Sequence, residues 1–240
     1  GKVFWPGAVT TLGGTPGHGE LEEYLHALER KQFVRRERRS SVAGQTQYVF
    51  VHVLLRDVAY GQIPRAARAG KHVHAAGWIE SLGRPEDHAE MLAHHYLNAL
   101  DLARAAHQDT PDLAARARTA LQWAGDRALA LNAFAAAAGY YRAALALWPP
   151  DAPEQRAGLL RLLGTVLCQT GGLDQAQAVL AEGAEVAAAA RLPAVRARIR
   201  VQLAEIHIMR GGPDQEALAE CEAAAAILDA EGDREGLAEA

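Results

Sequence analysis

Histidine is the residue of this chain best equipped for chemistry: ten are present, four of them in close pairs, His72/His74 and His94/His95. Imidazole changes charge near neutral pH and ligates metals through either ring nitrogen. On a helix, neighbours at i+2 point about 200° apart and at i+1 about 100° apart, so neither pair chelates one ion from its own helix. His88 and His95 share a face beside a Leu/Met stripe. Capped or partly buried structural histidines are therefore expected, and no metal site. The run Arg30-Lys31-Gln32-Phe33-Val34-Arg35-Arg36-Glu37-Arg38-Arg39 is the one basic concentration. It could meet a nucleic-acid backbone. A solvated wing, or a surface for another domain of the same chain, is the simpler explanation, because no recognition helix of interleaved Asn, Gln and Arg accompanies it.

The catalytic signatures are missing. Gly70-Lys71 is followed by His72 and has Arg65 at the required first glycine, so no P-loop is present, and Gly17-x-Gly19 lacks its third glycine. No G-x-S-x-G surrounds Ser40, Ser41 or Ser81, and His88-Ala89-Glu90 is not H-E-x-x-H. No catalytic residue is expected here, and no cofactor. Cys168 and Cys221 have no C-x-x-C spacing, which excludes a disulfide framework or a zinc ribbon and suits a reducing, cytoplasmic setting.

The elements that must position these residues are mostly helical. The 240 residues carry a net charge of −4, 22% charged and 50% hydrophobic residues, much of the latter alanine. Alanine favours closely packed helices. The richest apolar run, Ala133 to Trp148, is interrupted by Arg142, too short for a membrane span of about 20 residues. The start, Gly-Lys-Val-Phe-Trp, has no leader pattern, and both ends read as cuts within a longer protein.

Pro6 to Leu12 suggests a short helix closed by Gly13-Gly14, and Gly17 to Gly19 a loop. Leu21, Tyr24, Leu25 and Leu28 then fall at i, i+3, i+4, i+7 of a helix over 20–30. Phe33-Val34 and Tyr48-Val49-Phe50 are β-prone runs joined by polar residues. Helix, helix, strand, turn, strand suggests a winged helix over 1–63. Pro64, Pro85 and Pro111 sit where helices can begin. A helical linker over 64–110 is expected, in which Ala89, Leu92, Ala93, Tyr96, Leu100 and Ala103 form one apolar stripe.

The C-terminal half repeats. Gly171-Gly172-Leu173-Asp174-Gln175 recurs as Gly211-Gly212-Pro213-Asp214-Gln215, and each unit reads as helix, tight turn, helix. Gly125, Ala137, Tyr141 and Ala144 in one unit, and Gly164 and Ala176 in the next, supply small residues where helices cross and a large one for the adjacent hole. These spacings resemble the tetratricopeptide repeat, with units near 111–151, 153–191 and 193–232 and a truncated next repeat. The expected fold is mainly α: a small winged-helix (α+β) domain followed by an α-solenoid of tetratricopeptide-like hairpins.

Tyr48-Val49-Phe50-Val51-His52-Val53-Leu54-Leu55-Arg56-Asp57-Val58-Ala59-Tyr60 is the most specific segment. It resembles the strand-to-helix F-x-H-x-L-[IL]-R-D-x-A-Y segment of STAND-class signal-transduction ATPases, including the large bacterial cyclase-linked group. The likeness continues through Arg65–Ala69, His72/His74, Trp78 and Ala93-His94-His95-Tyr96. It implies that His52, with Phe50, Arg56, Asp57 and Tyr60 around it, reaches the phosphates of ADP on an upstream nucleotide-binding domain. The segment is also similar to the M-H-D-L-L-R-D segment of plant disease-resistance proteins, although Val53 stands where those carry an acidic residue. Read from the residues alone, His52 could equally cap the following helix, with Arg56–Asp57 a surface pair. The resemblance further implies a non-catalytic regulatory segment, with ATP or ADP held elsewhere in the parent. Its partners would be other domains of that chain and a protein or small effector on the concave face of the repeats, without a membrane. A transcriptional regulator with DNA contact and a free-standing repeat scaffold are the alternatives.

Overall fold

The computed structural model describes residues 2–12, 18–149, 151–212 and 214–240, and they are mainly helical. Contacts divide the chain into two compact units, residues 1–120 and 121–240. The division falls within a helix, between residues 120 and 121.

The first unit opens with β1 (Val3–Phe4), α1 (Pro6–Thr11), α2 (His18–Arg30), β2 (Val34–Arg36) and β3 (Tyr48–Phe50). The antiparallel sheet has the order β1-β3-β2, with Val3 opposite Val49 and Val34 opposite Phe50. β1 was not expected. Two residues carry no period to read, and this strand exists only through its pairing with β3. Leu21, Leu25, Val34 and Tyr48 form the core beneath the sheet, with Phe4, Val9, Leu28 and Phe50 packed against it. Tyr24, expected in that stripe, is 61% exposed, so the buried face of α2 is narrower than its sequence period. Gly19 belongs to α2 rather than to a loop, while Gly13-Gly14 lies outside the described residues.

Two further helices, α3 (Val53–Gly61) and α4 (Arg65–Ser81), precede a 3-10 turn at Pro85–His88 and α5 (Ala89–Ala105). Pro85 thus starts the tighter turn and not the α-helix, after Gly83 and Arg84 adopt left-handed φ values of 78° and 48°. α4 and α5 pack along each other as a hairpin. Ala76, Ala89 and Ala93 let their axes approach, and Ile79, Leu92, Tyr96 and Leu100 fill the seam. The segment expected as a linker is therefore itself a packed helical hairpin. Trp5 stacks on Trp78 with ring centroids 5.6 Å apart, and this joins the sheet region to α4.

The division of units lies in α6 (Pro111–Ala130). In the second unit follow α7 (Phe134–Ala146), α8 (Pro153–Gln169), α9 (Leu173–Ala189), α10 (Pro193–Met209), α11 (Asp214–Ala230) and α12 (Arg234–Glu239). Pro153 and Pro193 occupy first helical positions, where a missing N–H costs nothing. α8 pairs with α9 and α10 with α11, α9 packs on α10, and α10 also touches α8 and α12. These are stacked helical hairpins, a helical-repeat arrangement.

The exits of α6, α8, α9, α10 and α11 share one device, whereas α7 ends at Leu147 with φ −99° and without it. Asn132, Gly171, Arg191, Gly211 and Gly232 all have φ between 56° and 77°. The amide after each donates to a carbonyl five residues earlier: Ala133 to Ala128 at 2.8 Å, Gly172 to Leu167 at 3.0 Å, Leu192 to Ala187 at 2.9 Å, Gly212 to His207 at 3.0 Å and Asp233 to Leu228 at 2.9 Å. This is the Schellman closure, which satisfies carbonyls the helix leaves unpaired.

Candidate functional site

His52 stands between β3 and α3, at the N-cap position with extended backbone (φ −121°, ψ 127°). Its carbonyl accepts the Leu55 amide at 3.1 Å, but its side chain makes no capping hydrogen bond and is exposed. Of the two readings of this residue, side-chain capping is therefore absent. Phe50 faces the core, 5.4 Å from the Phe4 ring. Arg56 and Asp57 pair at 2.6 Å on the surface, as the simpler reading of them has it. α3 has no buried residue, and Val53, Leu54 and Val58 are each more than half exposed.

Tyr60 ties this helix to the hairpin behind it. Its hydroxyl lies 3.0 Å from His72 Nε2, and His72 Nδ1 lies 3.0 Å from His95 Nδ1. One imidazole must donate and the other accept in the second contact, so the tautomers of the two rings are coupled. Burial foremost, then the neighbouring His94 and Arg56, hold His72 down at about 4. Burial, then His72 and His94, hold His95 at about 3. His94 is also lowered, first by burial. The three rings gather between α4 and α5, although among the described residues no group of three His, Cys, Asp or Glu is placed to hold a metal ion. Arg68 closes the end of α3: Nε donates to the Ile63 carbonyl at 2.6 Å and Nη2 to that of Gly61 at 2.8 Å, with its guanidinium 4.6 Å from the Tyr60 ring centroid.

Comparing histidines only within their own helices misses this chain of groups. Two helices brought antiparallel place His72 beside His95, 23 residues on. A signal did exist: Ala69, His72, Ala76 and Ile79 are all buried and fall at helical spacing, which puts His72 on the packing face of α4.

The repeat residues converge where small and large types were paired. A Cβ on Gly125 would enter the ring of Tyr141, whose hydroxyl donates to Asp126 at 2.8 Å. A Cβ on Gly164 would lie 2.5 Å from Leu180. Ala137, Ala144 and Ala176 are wholly buried. In the basic run, Arg35, Arg36, Arg38 and Arg39 are exposed around β2 and its following loop, with Arg35 paired to Glu37 at 2.8 Å. No helix among the described residues is long and apolar enough to cross a membrane.

No family model and no curated protein matches this sequence. Among solved structures, BtubC (BKLC) from P. vanneervenii is similar at 17% identity and a TM-score of 0.46, covering 95% of this chain and 83% of that one. Aspartyl phosphate phosphatase F from Bacillus subtilis is similar at 14% identity and a TM-score of 0.47, with 92% of this chain covered, which spans 64% of the phosphatase.

Proposed function

We propose that this chain is a non-catalytic regulatory and protein-interaction segment of a STAND-type ATPase signalling protein, coupling the nucleotide state of an upstream domain to partner binding. The observation that carries this reading is His52: at the head of α3, exposed, and without a capping contact, its imidazole is free to donate to a phosphate presented by another domain. The β1-β3-β2 order, with α1 and α2 between the first two strands of the chain, supports a winged-helix reading of the first domain. On this reading the segment carries no cofactor of its own, works in the cytoplasm, and offers its repeats to a protein or small effector.

The test uses the full-length parent. Loss of a charge-assisted contact from His52→Ala weakens ADP binding by about one to two powers of ten. Stopped-flow release of a fluorescent ADP analogue, at matched folded fraction, should be faster in the variant. Identical rates remove His52 from the switch. A parent gene without a Walker motif upstream would instead leave a free-standing scaffold.

The exposed arginines around β2 favour a second reading, contact with DNA. A salt-dependent shift of labelled duplex by the fragment, lost when Arg38 and Arg39 are changed to Gln, would support it.

A further inference from the structure

Beside the Tyr60–His72 pair, within the first unit, lies a cavity of 140 Å³. Leu12, Ile63 and Ala75 give it apolar walls, and Arg68, Lys71, Tyr60 and His72 give it polar ones. Among the described residues its two permanent cations donate hydrogen bonds to backbone carbonyls, and Arg68 also lies over the Tyr60 ring. Arg68 donates to Gly61 and Ile63, and Lys71 Nζ donates to the Leu12 carbonyl at 3.0 Å. Among the described residues neither meets a carboxylate. A guanidinium has five N–H donors and an ammonium three, so donors remain on both. Half-buried positive charge without a counter-ion is costly, and an entering anion relieves that cost.

We propose that this cavity binds a small organic carboxylate, with its carboxyl group between Arg68 and Lys71 and its apolar body against Leu12, Ile63 and Ala75. The volume is well below the ~300–1,000 Å³ of clefts that take drug-sized ligands, so a nucleotide or peptide does not fit. Tyr60 couples occupancy to the histidines. With the cavity empty, its O–H can donate to His72 Nε2, and His72 Nδ1–H then donates to His95. When the Tyr60 O–H turns to a ligand carboxylate, His72 Nε2–H donates to Tyr60 Oη and His95 Nδ1–H donates to His72. The ligand thereby reverses the direction of the whole chain of hydrogen bonds and exchanges the tautomer of His72.

The probe is benzoate, added to the 240-residue chain and followed by calorimetry and by ¹⁵N NMR of the imidazoles, with benzamide as neutral isostere and inorganic phosphate as an anion lacking the apolar body. Benzoate should bind saturably and move the ring nitrogens of His72 and His95 between tautomer positions, with benzamide and phosphate each weaker by about tenfold or more. Lys71→Gln should weaken benzoate by about tenfold. Ala75→Leu fills the space without touching a charge and should abolish binding while the far-UV spectrum stays unchanged. Arg68→Lys keeps the charge but also loosens the end of α3, so Ala75→Leu and Lys71→Gln decide the matter if it does not fold. Absence of saturable benzoate binding, benzamide or phosphate binding as tightly, or full binding by Ala75→Leu would each overturn the proposal.

Discussion

The ring of Tyr141 occupies the space that a side chain at Gly125 would need, and the Tyr141 hydroxyl donates to Asp126, the residue next to that glycine. One aromatic thus fills the gap between α6 and α7 and fixes their register through a hydrogen bond. Burial, then the Asp126 contact, pushes the phenol far above its ordinary value, so it stays a donor at any working pH.

Large residues at these crossings should force the helices apart. Gly125→Leu, Gly164→Leu and Ala137→Leu are each expected to cost ~1–3 kcal/mol or more by overpacking. Glu182→Gln, which removes only a half-exposed partner of Arg156, should cost well under ~1 kcal/mol. Thermal melts of the four variants compare them. Unchanged midpoints in the Leu variants would show that the helices do not meet at these residues.

The buried imidazoles should make the first unit acid-sensitive. His72 titrates near 4 and His95 near 3 in the fold, and both return towards 6.5 when unfolded. The unfolded chain therefore takes up protons first. Stability is complete above about pH 6.5 and falls as the pH drops towards 4, by at most about 1.4 kcal/mol per pH unit for each histidine. Urea midpoints between pH 7 and 5.5, a range in which most carboxylates stay ionised, should decline in the wild type and decline less steeply in His95→Gln, where His72 remains. Equal declines would assign the acid sensitivity to other groups.

At the far end, Asp233 caps α12 by accepting the Gly236 amide at 3.1 Å, and it pairs with Arg198 of α10. The arginine contact foremost, then the Gly236 amide, holds its carboxyl at about 2, so this contribution is present above pH 4 and lost as pH falls towards 2. Asp233→Ala should speed amide exchange in α12 while leaving α8 and α9 protected. Exchange rates in α12 that match the wild type would show that the cap does not order it.

The purified chain should neither hydrolyse ATP nor form cyclic nucleotides, since no Lys and Ser/Thr follow a glycine-rich loop. Phosphate release and cyclase assays check this. Magnesium-dependent turnover abolished by a point change in this chain would refute it.

Elements with a long apolar period are legible in the sequence. The stripe from Ala89 to Ala103 is buried as its spacing demands, and Gly171 and Gly211 turn as their shared five-residue pattern implies. What the pattern could not carry was pairing between distant segments. β1 is too short to show a period, Tyr24 sits at the exposed edge of a stripe narrower than its helix allows, and the 64–110 hairpin depends on which face of α4 meets α5. For the same reason His52 stands out by its neighbours in sequence, whereas the Tyr60–His72–His95 chain spans three helices, and helical spacing places only His72 of the three.

The five like helix exits of the second unit have an evolutionary corollary. Because Asn132, Gly171, Arg191, Gly211 and Gly232 all set the same left-handed step and the same backbone closure, these five joints accept the helix that follows in the same way. A duplication or excision running from one of these joints to the equivalent one of another hairpin would leave the joint it creates closed in the same way. The array is in this sense a modular chain whose length can drift by whole hairpins, while substitutions within a joint, such as a β-branched residue at Gly211, are the changes that selection must remove.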